Sequence, residues 1–385
     1  MDITALMHEA KAQGASDLHL VLACPPMLRI KGSLQPLDGS EPLTAEDINQ
    51  AFLQVATPEE REHFHNDLEL DFAYTLPGVG RIRCNAAQQR GAISLAMRLL
   101  PLKIPTIDEM ELPGILKELA LKPRGLFLVT GPTGSGKSTT LAAMLSYLNA
   151  NATCHIVTIE DPIEYLHPSI KCAITQRELG ADTHSFAEAL KHVLRQDPDV
   201  VLVGEMRDPE TAELVITLAE TGHFILSTGH APSATQSVER IIDMFPPEQR
   251  FLAQTRLASL LVGVICQVLA PRADGSGRIA AIEIMLANAP VRNLIREGKI
   301  YQIPNVIRTN HDIGMITLDE ALVNHYLKGM ISGESLLALC NDRTEVEKLI
   351  GKVSVREERV AVGNGKRQAP PEKTTAGRLT SAPAV

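Results

Sequence analysis

The chain has 385 residues, 37 basic and 46 acidic side chains, a formal net charge of −9 and 44% hydrophobic residues. At about 150 residues per domain this length predicts two or three domains, and the apolar content excludes wholesale disorder. The acidic balance, 3% aromatics and lack of Trp argue against a nucleic-acid partner, which needs a basic footprint or stacking platforms.

Six cysteines are scattered, at Cys24, Cys84, Cys154, Cys172, Cys266 and Cys340, with no C-x-x-C pair. That spacing argues against a paired-thiolate zinc site and fits a reducing compartment. The opening Met1-Asp2-Ile3-Thr4 lacks the apolar run of a secretory signal. The longest apolar stretch, Leu257 to Ala270, is interrupted by Ser259 and Gln267, and is shorter than the ~20 residues a membrane span requires. A cytoplasmic chain without a transmembrane segment is expected.

In chain order, residues 4–13 read as a short amphipathic helix. Apolar segments Leu18–Leu22 and Met27–Ile30 follow, separated by Pro25-Pro26 and bounded by Lys31-Gly32. Residues 44–66 read as helical, with Thr57-Pro58-Glu59-Glu60 as an internal helix start. Alternation returns at Phe72–Tyr74, Arg81–Asn85 and Ile93–Leu99, so the first zone reads as a small α+β domain. A proline-bearing linker follows, with Pro101, Pro105 and Pro113. From about residue 114 the pattern changes. Buried strand runs at Gly125–Thr130, His155–Glu160, Val200–Val203 and Phe224–Ser227 alternate with helical stretches such as Ser185–Arg195 and Pro209–Glu220. Such alternation predicts an α/β fold with a mainly parallel sheet covered on both faces. Beyond about residue 246 the pattern reads as mostly helical. The segment from 351 to 385 is polar, carries Pro370, Pro371 and Pro383, and reads as a disordered tail.

The chemistry concentrates in Gly131-Pro132-Thr133-Gly134-Ser135-Gly136-Lys137-Ser138, a full G-x-x-x-x-G-K-[ST] match. A strand precedes it and a helix at Thr139–Asn149 follows, the context a phosphate-binding loop needs. The glycines let backbone N–H groups turn inward, the helix N-terminus favours an anion, Lys137 neutralises phosphate and the Ser138 hydroxyl suits Mg²⁺. A second apolar strand, Asp199–Val203, ends at Gly204-Glu205, a carboxylate placed to reach Mg²⁺ or its water. Between them, Glu160, Asp161 and Glu164 lie just past a strand. Each could polarise an attacking water, and each could equally cap a solvated turn; spacing does not choose among them. His223 and His230 lie on either side of the next strand, His230 being the better placed to contact a terminal phosphate. Arg81 and Arg83 share a strand face, Arg98 ends another strand, and Arg195 and Arg207 flank the second acid run. Any one of them could be surface charge, or an arginine supplied to a neighbouring subunit's nucleotide. No spacing suggests a transition-metal site.

Taken together, Gly131–Ser138, Ile159–Glu164, Gly204–Asp208 and Glu220–His230 resemble the Walker A, Asp box, Walker B and His box of the secretion ATPases that drive type II secretion and type IV pili. Within that family Ser16–His19, Pro25–Arg29, Gln176–Glu178, Leu194–Asp199 and Pro290–Glu297 look like the retraction motors of twitching motility. The resemblance implies a PAS-like N-terminal domain (1–100), a linker (101–113) and a RecA-like ATPase domain with a helical C-terminal part (114–350). It implies a homohexamer binding ATP and Mg²⁺ at the inner face of the cytoplasmic membrane. An inner-membrane pilus platform protein would be its partner, with a paralogous retraction ATPase as a second. It implies Glu164 as catalytic acid-base residue and Glu205 as the Walker B acid. Lys137, Ser138 and Thr139 would sit at the phosphates, and His230 near the terminal one. Arg81, Arg83 and Arg98 would approach nucleotide. Departures exist: the His box reads Ser227-Thr228-Gly229-His230-Ala231-Pro232, losing a hydroxyl at Ala231 and a backbone donor at Pro232. The same resemblance leaves an accessory retraction motor, or an extension or type II secretion motor, as the alternative.

Overall fold

The computed structural model describes residues 1–30, 32–100 and 103–351. The tail expected from 351 lies, from residue 352 on, outside the described residues. The N-terminal part runs α1 (Ile3–Ala12), β1 (Asp17–Leu20), β2 (Met27–Ile30), β3 (Ser33–Pro36), α2 (Ala45–Val55), α3 (Pro58–Asp67), β4 (Glu69–Leu76), β5 (Gly80–Gln89) and β6 (Ala92–Leu99). Its six-stranded antiparallel sheet has the order β3-β2-β1-β6-β5-β4. The helical reading of 44–66 resolves into two helices. Thr57 accepts from Glu60 N while Glu60 returns to Thr57 N, and this capping box with Pro58 behind it restarts the helix. Ile3, Met7, Ile48, Phe52, Phe64 and Phe72 pack against Leu18, Ile82 and Met97 to form this part's own core.

The second part runs α4 (Ile115–Ala120), β7 (Gly125–Thr130), α5 (Lys137–Asn151), β8 (His155–Glu160), β9 (Ala173–Glu178), α6 (Phe186–Val193), β10 (Val200–Glu205), α7 (Pro209–Glu220), β11 (Phe224–Thr228), α8 (Ala234–Asp243) and α9 (Arg250–Leu260). It continues through β12 (Leu261–Pro271), β13 (Arg278–Leu286), α10 (Ala289–Arg296), α11 (Ile303–Thr309), α12 (Leu318–Leu327) and α13 (Gly333–Leu339). The seven-stranded sheet has the order β13-β12-β7-β11-β10-β8-β9, parallel except for the β12–β13 hairpin. One core cluster, around Leu126, Val201 and Ile225, covers one face; another, around Phe127, Leu202 and Phe224, covers the other. Phe127 and Phe224 are fully buried, each such burial being worth about 2 kcal/mol before ordering costs. This is the expected α/β architecture: a PAS-like α+β domain followed by a RecA-like ATPase domain, helical after Leu286.

Two long strands, β12 and β13, interrupt the region read as mostly helical after residue 246. The Leu261–Ala270 run is buried against both β7 and β13, so it carries no polar-apolar alternation to mark it as a strand. Beyond the hairpin, Asn288 caps α10 through Val291 N, with Pro290 in its first turn. Arg292 on α10 donates to Ala287 O, Ser259 O and Leu261 O, tying that helix to the end of α9 and the start of β12.

Candidate active site

The parallel strands β7, β8, β10 and β11 end on the same side of the sheet, so the segments after them converge there. One cleft is lined by Lys137, Ser138, Thr139, Glu160, Asp161, Glu164, Glu205 and His230, together with Thr133, Gly134 and Gly136. Residues far apart in sequence are thus brought to one place by four strand ends.

The phosphate-binding loop is held from below. Gln267 on β12 is buried, donates from Nε2 to Ser135 O at 2.6 Å and accepts from Thr140 Oγ1 at 2.8 Å. Gly131 adopts φ 137°, and a Cβ there would lie 2.2 Å from the Gln267 carbonyl oxygen. Gly136, at φ 87°, would meet Gln267 Nε2 at 2.9 Å. Gly131 is therefore required by close backbone approach as well as by conformation, and Gly136 by conformation and by the Gln267 side chain packed against it. Lys137 is buried, and its Nζ donates to Gly131 O at 2.9 Å and Pro132 O at 3.0 Å. Burial lowers its pKa, opposed by the charge of Glu205 and, further down the order, Glu164. Tyr165 joins the loop to the acid segment through a 3.0 Å hydrogen bond with Thr139 Oγ1.

The three acids left open by spacing separate by environment. Glu160 accepts from Thr158 Oγ1 at 2.6 Å and Gln176 Nε2 at 3.1 Å, and burial raises its carboxyl above the ordinary range. Asp161 pairs with Arg207 Nη1 at 3.4 Å. Glu164 lines the same cleft, is exposed, and its carboxylate has no hydrogen-bond or ion-pair partner among the described residues. Glu205 ends β10, bonds Arg207 Nη2, and lies 3.2 Å from His230 Nε2. The Arg207 hydrogen bond is the main cause holding its carboxyl below the usual range, so Glu205 stays ionised for a cation.

The arginines fall into separate groups. Arg207 contacts Asp161 and Glu205, two of the acids that line the cleft. Arg83 and Arg98 are direct cross-strand partners on β5 and β6. Arg98 donates from Nε to Asp17 Oδ1 at 2.8 Å, and Arg29 lies 3.7 Å from the same carboxylate. Arg81 reaches Glu178 at the end of β9 with a 2.7 Å ion pair. Arg195 is exposed after α6. Arg81, Arg83, Arg98 and Arg195 do not line this chain's cleft. Sequence reasoning missed Gln267, Gln176 and Glu178. Gln267 left a signal as the polar residue breaking an apolar run, and Gln176 and Glu178 lie in a segment that carries the family resemblance, without a role read for either.

Burial of Glu160 makes a pH prediction. Its folded pKa is raised, so its contribution to stability is full below the unfolded value of ~4.3 and is lost as pH rises through the folded value. Glu160→Gln is neutral throughout. Its melting temperature relative to wild type is expected to rise as pH increases above the unfolded carboxyl's value of ~4.3 in thermal unfolding curves. A pH-independent difference would contradict the assignment.

Residues 108–297 match the family model described as type II/IV secretion system protein. The chain is 45% identical over 335 residues to the type IV pilus retraction ATPase PilT of Pseudomonas aeruginosa, covering 87% of this chain and 97% of that protein. The chain belongs to the type II/IV secretion ATPase family. A further relative of these secretion ATPases, the type IV pilus ATPase PilU of P. aeruginosa, is 40% identical over 350 residues, or 91% of each chain. The crystal structure of the pilus retraction motor PilT with bound ADP superposes with a TM-score of 0.86 at 40% identity, covering 90% of this chain and 99% of that one. Like other secretion ATPases of this branch, the chain is a P-loop ATP hydrolase with a nucleotide-binding cleft. Among the described residues no helix is long and apolar enough to cross a membrane.

Proposed function

We propose that this ATPase is a cytoplasmic motor that drives type IV pilus retraction as a homohexamer, acting on an inner-membrane platform protein. The observation that carries the proposal is a complete hydrolytic site in a chain that is 45% identical to a retraction ATPase along nearly the whole of that relative. Loop N–H groups from Gly131 to Thr139 receive the phosphates, and Lys137 supplies positive charge. Glu164 orients and deprotonates the attacking water, the role left to it by the commitments of Glu160 and Asp161. His230, against Glu205, senses the terminal phosphate. Arg83, Arg98 and Arg195 face outward from this chain's cleft, where they serve a neighbouring subunit's nucleotide.

The donor set fits Mg²⁺. A hydroxyl at Ser138 and an ionised carboxylate at Glu205 line one cleft, and hard oxygen ligands suit that ion. When bound it would neutralise charge on the phosphates. Among the described residues no cluster of three or more His, Cys, Asp or Glu side chains offers another metal site.

The test is a deletion strain complemented with wild type or Glu164→Gln, scored for surface pili and twitching beside ATPase rates of the purified proteins. Retraction restored by wild type alone, with pili accumulating in the variant, supports the proposal. A deletion strain without surface pili makes the protein an extension motor. Retraction that persists in the deletion strain makes it an accessory motor, the alternative reading, although the 40% identity to PilU is lower than the 45% to PilT.

A further inference from the structure

The segment carrying Glu164 is framed by β9, the outer strand of the seven-stranded sheet. Gln176 on β9 donates to Tyr165 O at 2.9 Å and accepts from His167 N at 2.8 Å. Two residues on, Glu178 Oε2 accepts from Ile163 N at 2.9 Å, next to Glu164 in sequence. That same oxygen receives Arg81 Nη2 at 2.7 Å from the N-terminal domain. The pair is well shielded: the side chains of Arg81 and Glu178 are 18% and 9% exposed. Arg81 Nε is buried without a hydrogen-bond partner among the described residues, where the guanidinium's hydrogen bond goes to this carboxylate.

We infer that Arg81 and Glu178 form an interdomain latch that positions Glu164 for hydrolysis through the Ile163 N–H. The inference rests on the reading of Glu164 as the catalytic base. With Arg81 engaged, the Glu178 carboxylate is neutralised and held toward Ile163. When the N-terminal domain swings away, Glu178 keeps a buried charge without its cation, a costly state that water or a side-chain rotation relieves. Either response loosens the Ile163 anchor. A displacement of an ångström at a general base is enough to cost up to about 10²-fold in rate. Domain pose and hydrolysis are thereby coupled inside one chain, and Arg81 and Glu178 are positioning residues that leave nucleotide affinity alone.

The experiment uses the full-length protein with Arg81→Ala, Glu178→Gln, the double variant and Arg81→Lys. ATP turnover gives kcat and KM, and a fluorescent non-hydrolysable ATP analogue gives affinity. Both single variants are expected to lose at least about 10-fold in kcat, with analogue affinity within about twofold of wild type. The double variant should be no worse than the poorer single one, because both changes break one contact. Arg81→Lys should recover most of the rate. Wild-type kcat in either single variant, or losses that multiply in the double, overturns the latch. So does weakened analogue binding in Arg81→Ala with unchanged kcat in Glu178→Gln, which would put Arg81 on nucleotide directly. If Glu178→Gln does not fold, Glu178→Asp, charged but too short to span both contacts, is read against the same outcomes. Glu164→Gln runs in parallel: retained turnover there removes the catalytic-base reading, whereas loss there with normal latch variants removes the latch alone.

Discussion

Glu164→Gln is expected to bind ATP as tightly as wild type and to hydrolyse it about 10²- to 10⁴-fold more slowly. The other acids of the cleft are committed elsewhere. Glu160 has Oε1 engaged by both Thr158 and Gln176, and burial favours its neutral form. Asp161 and Glu205 share Arg207. Glu164 alone among these four acids has a carboxylate without a partner among the described residues, so it can take a water's proton without first breaking a contact. The amide keeps its size and removes its basicity, so affinity and rate should part. Rapid-quench turnover and equilibrium ATP binding on the same preparation make the check. A variant that hydrolyses at the wild-type rate would assign the proton transfer elsewhere.

Gly131→Ala should abolish nucleotide binding, and the neighbouring change Gly134→Ala should be much milder. At Gly131 the added methyl would lie 2.2 Å from a backbone oxygen of β12 and 2.8 Å from Ser135 Oγ, at φ 137°. Relief requires moving either the loop or the β12–β13 hairpin. At Gly134 nothing lies within 4 Å of the added carbon, and only the φ of 78° resists it. Backbone strain of that kind costs of order 1–3 kcal/mol by itself. Calorimetric titration with ATP is expected to show Gly131→Ala weakened by more than about 10-fold beyond Gly134→Ala. Equal effects would mean that conformation, and not the approach of β12, sets the glycine requirement.

Much of this was legible from the sequence because strands and motif reinforced each other. Gly125–Thr130 and His155–Glu160 are buried strands with the limits their apolar runs suggest, and Pro209–Glu220 is a helix begun by the Asp208 cap and Pro209. What escaped lacks local signals. β9 is a half-exposed edge strand, Ala173-Ile174-Thr175-Gln176-Arg177-Glu178, too polar to stand out. β12 hid inside an apolar run that reads equally as buried helix. The roles of Gln267 and Glu178 depend on a loop more than a hundred residues away in one case, and on the other domain in the other. Choosing among Glu160, Asp161 and Glu164 needed their surroundings, which no spacing encodes.

The way Arg292 is spent has a bearing on how α10 can be read by another protein. Its guanidinium is committed to three carbonyls of the fold, and Val291 and Ile295 face the core. The Pro290–Glu297 segment, one of those that look like the retraction motors, therefore displays only Asn293, Arg296 and Glu297 among its central polar positions. Substitutions at Arg292 or Ile295 will report on whether the helix stays docked. Substitutions at the three displayed side chains are the ones that speak to who is listening.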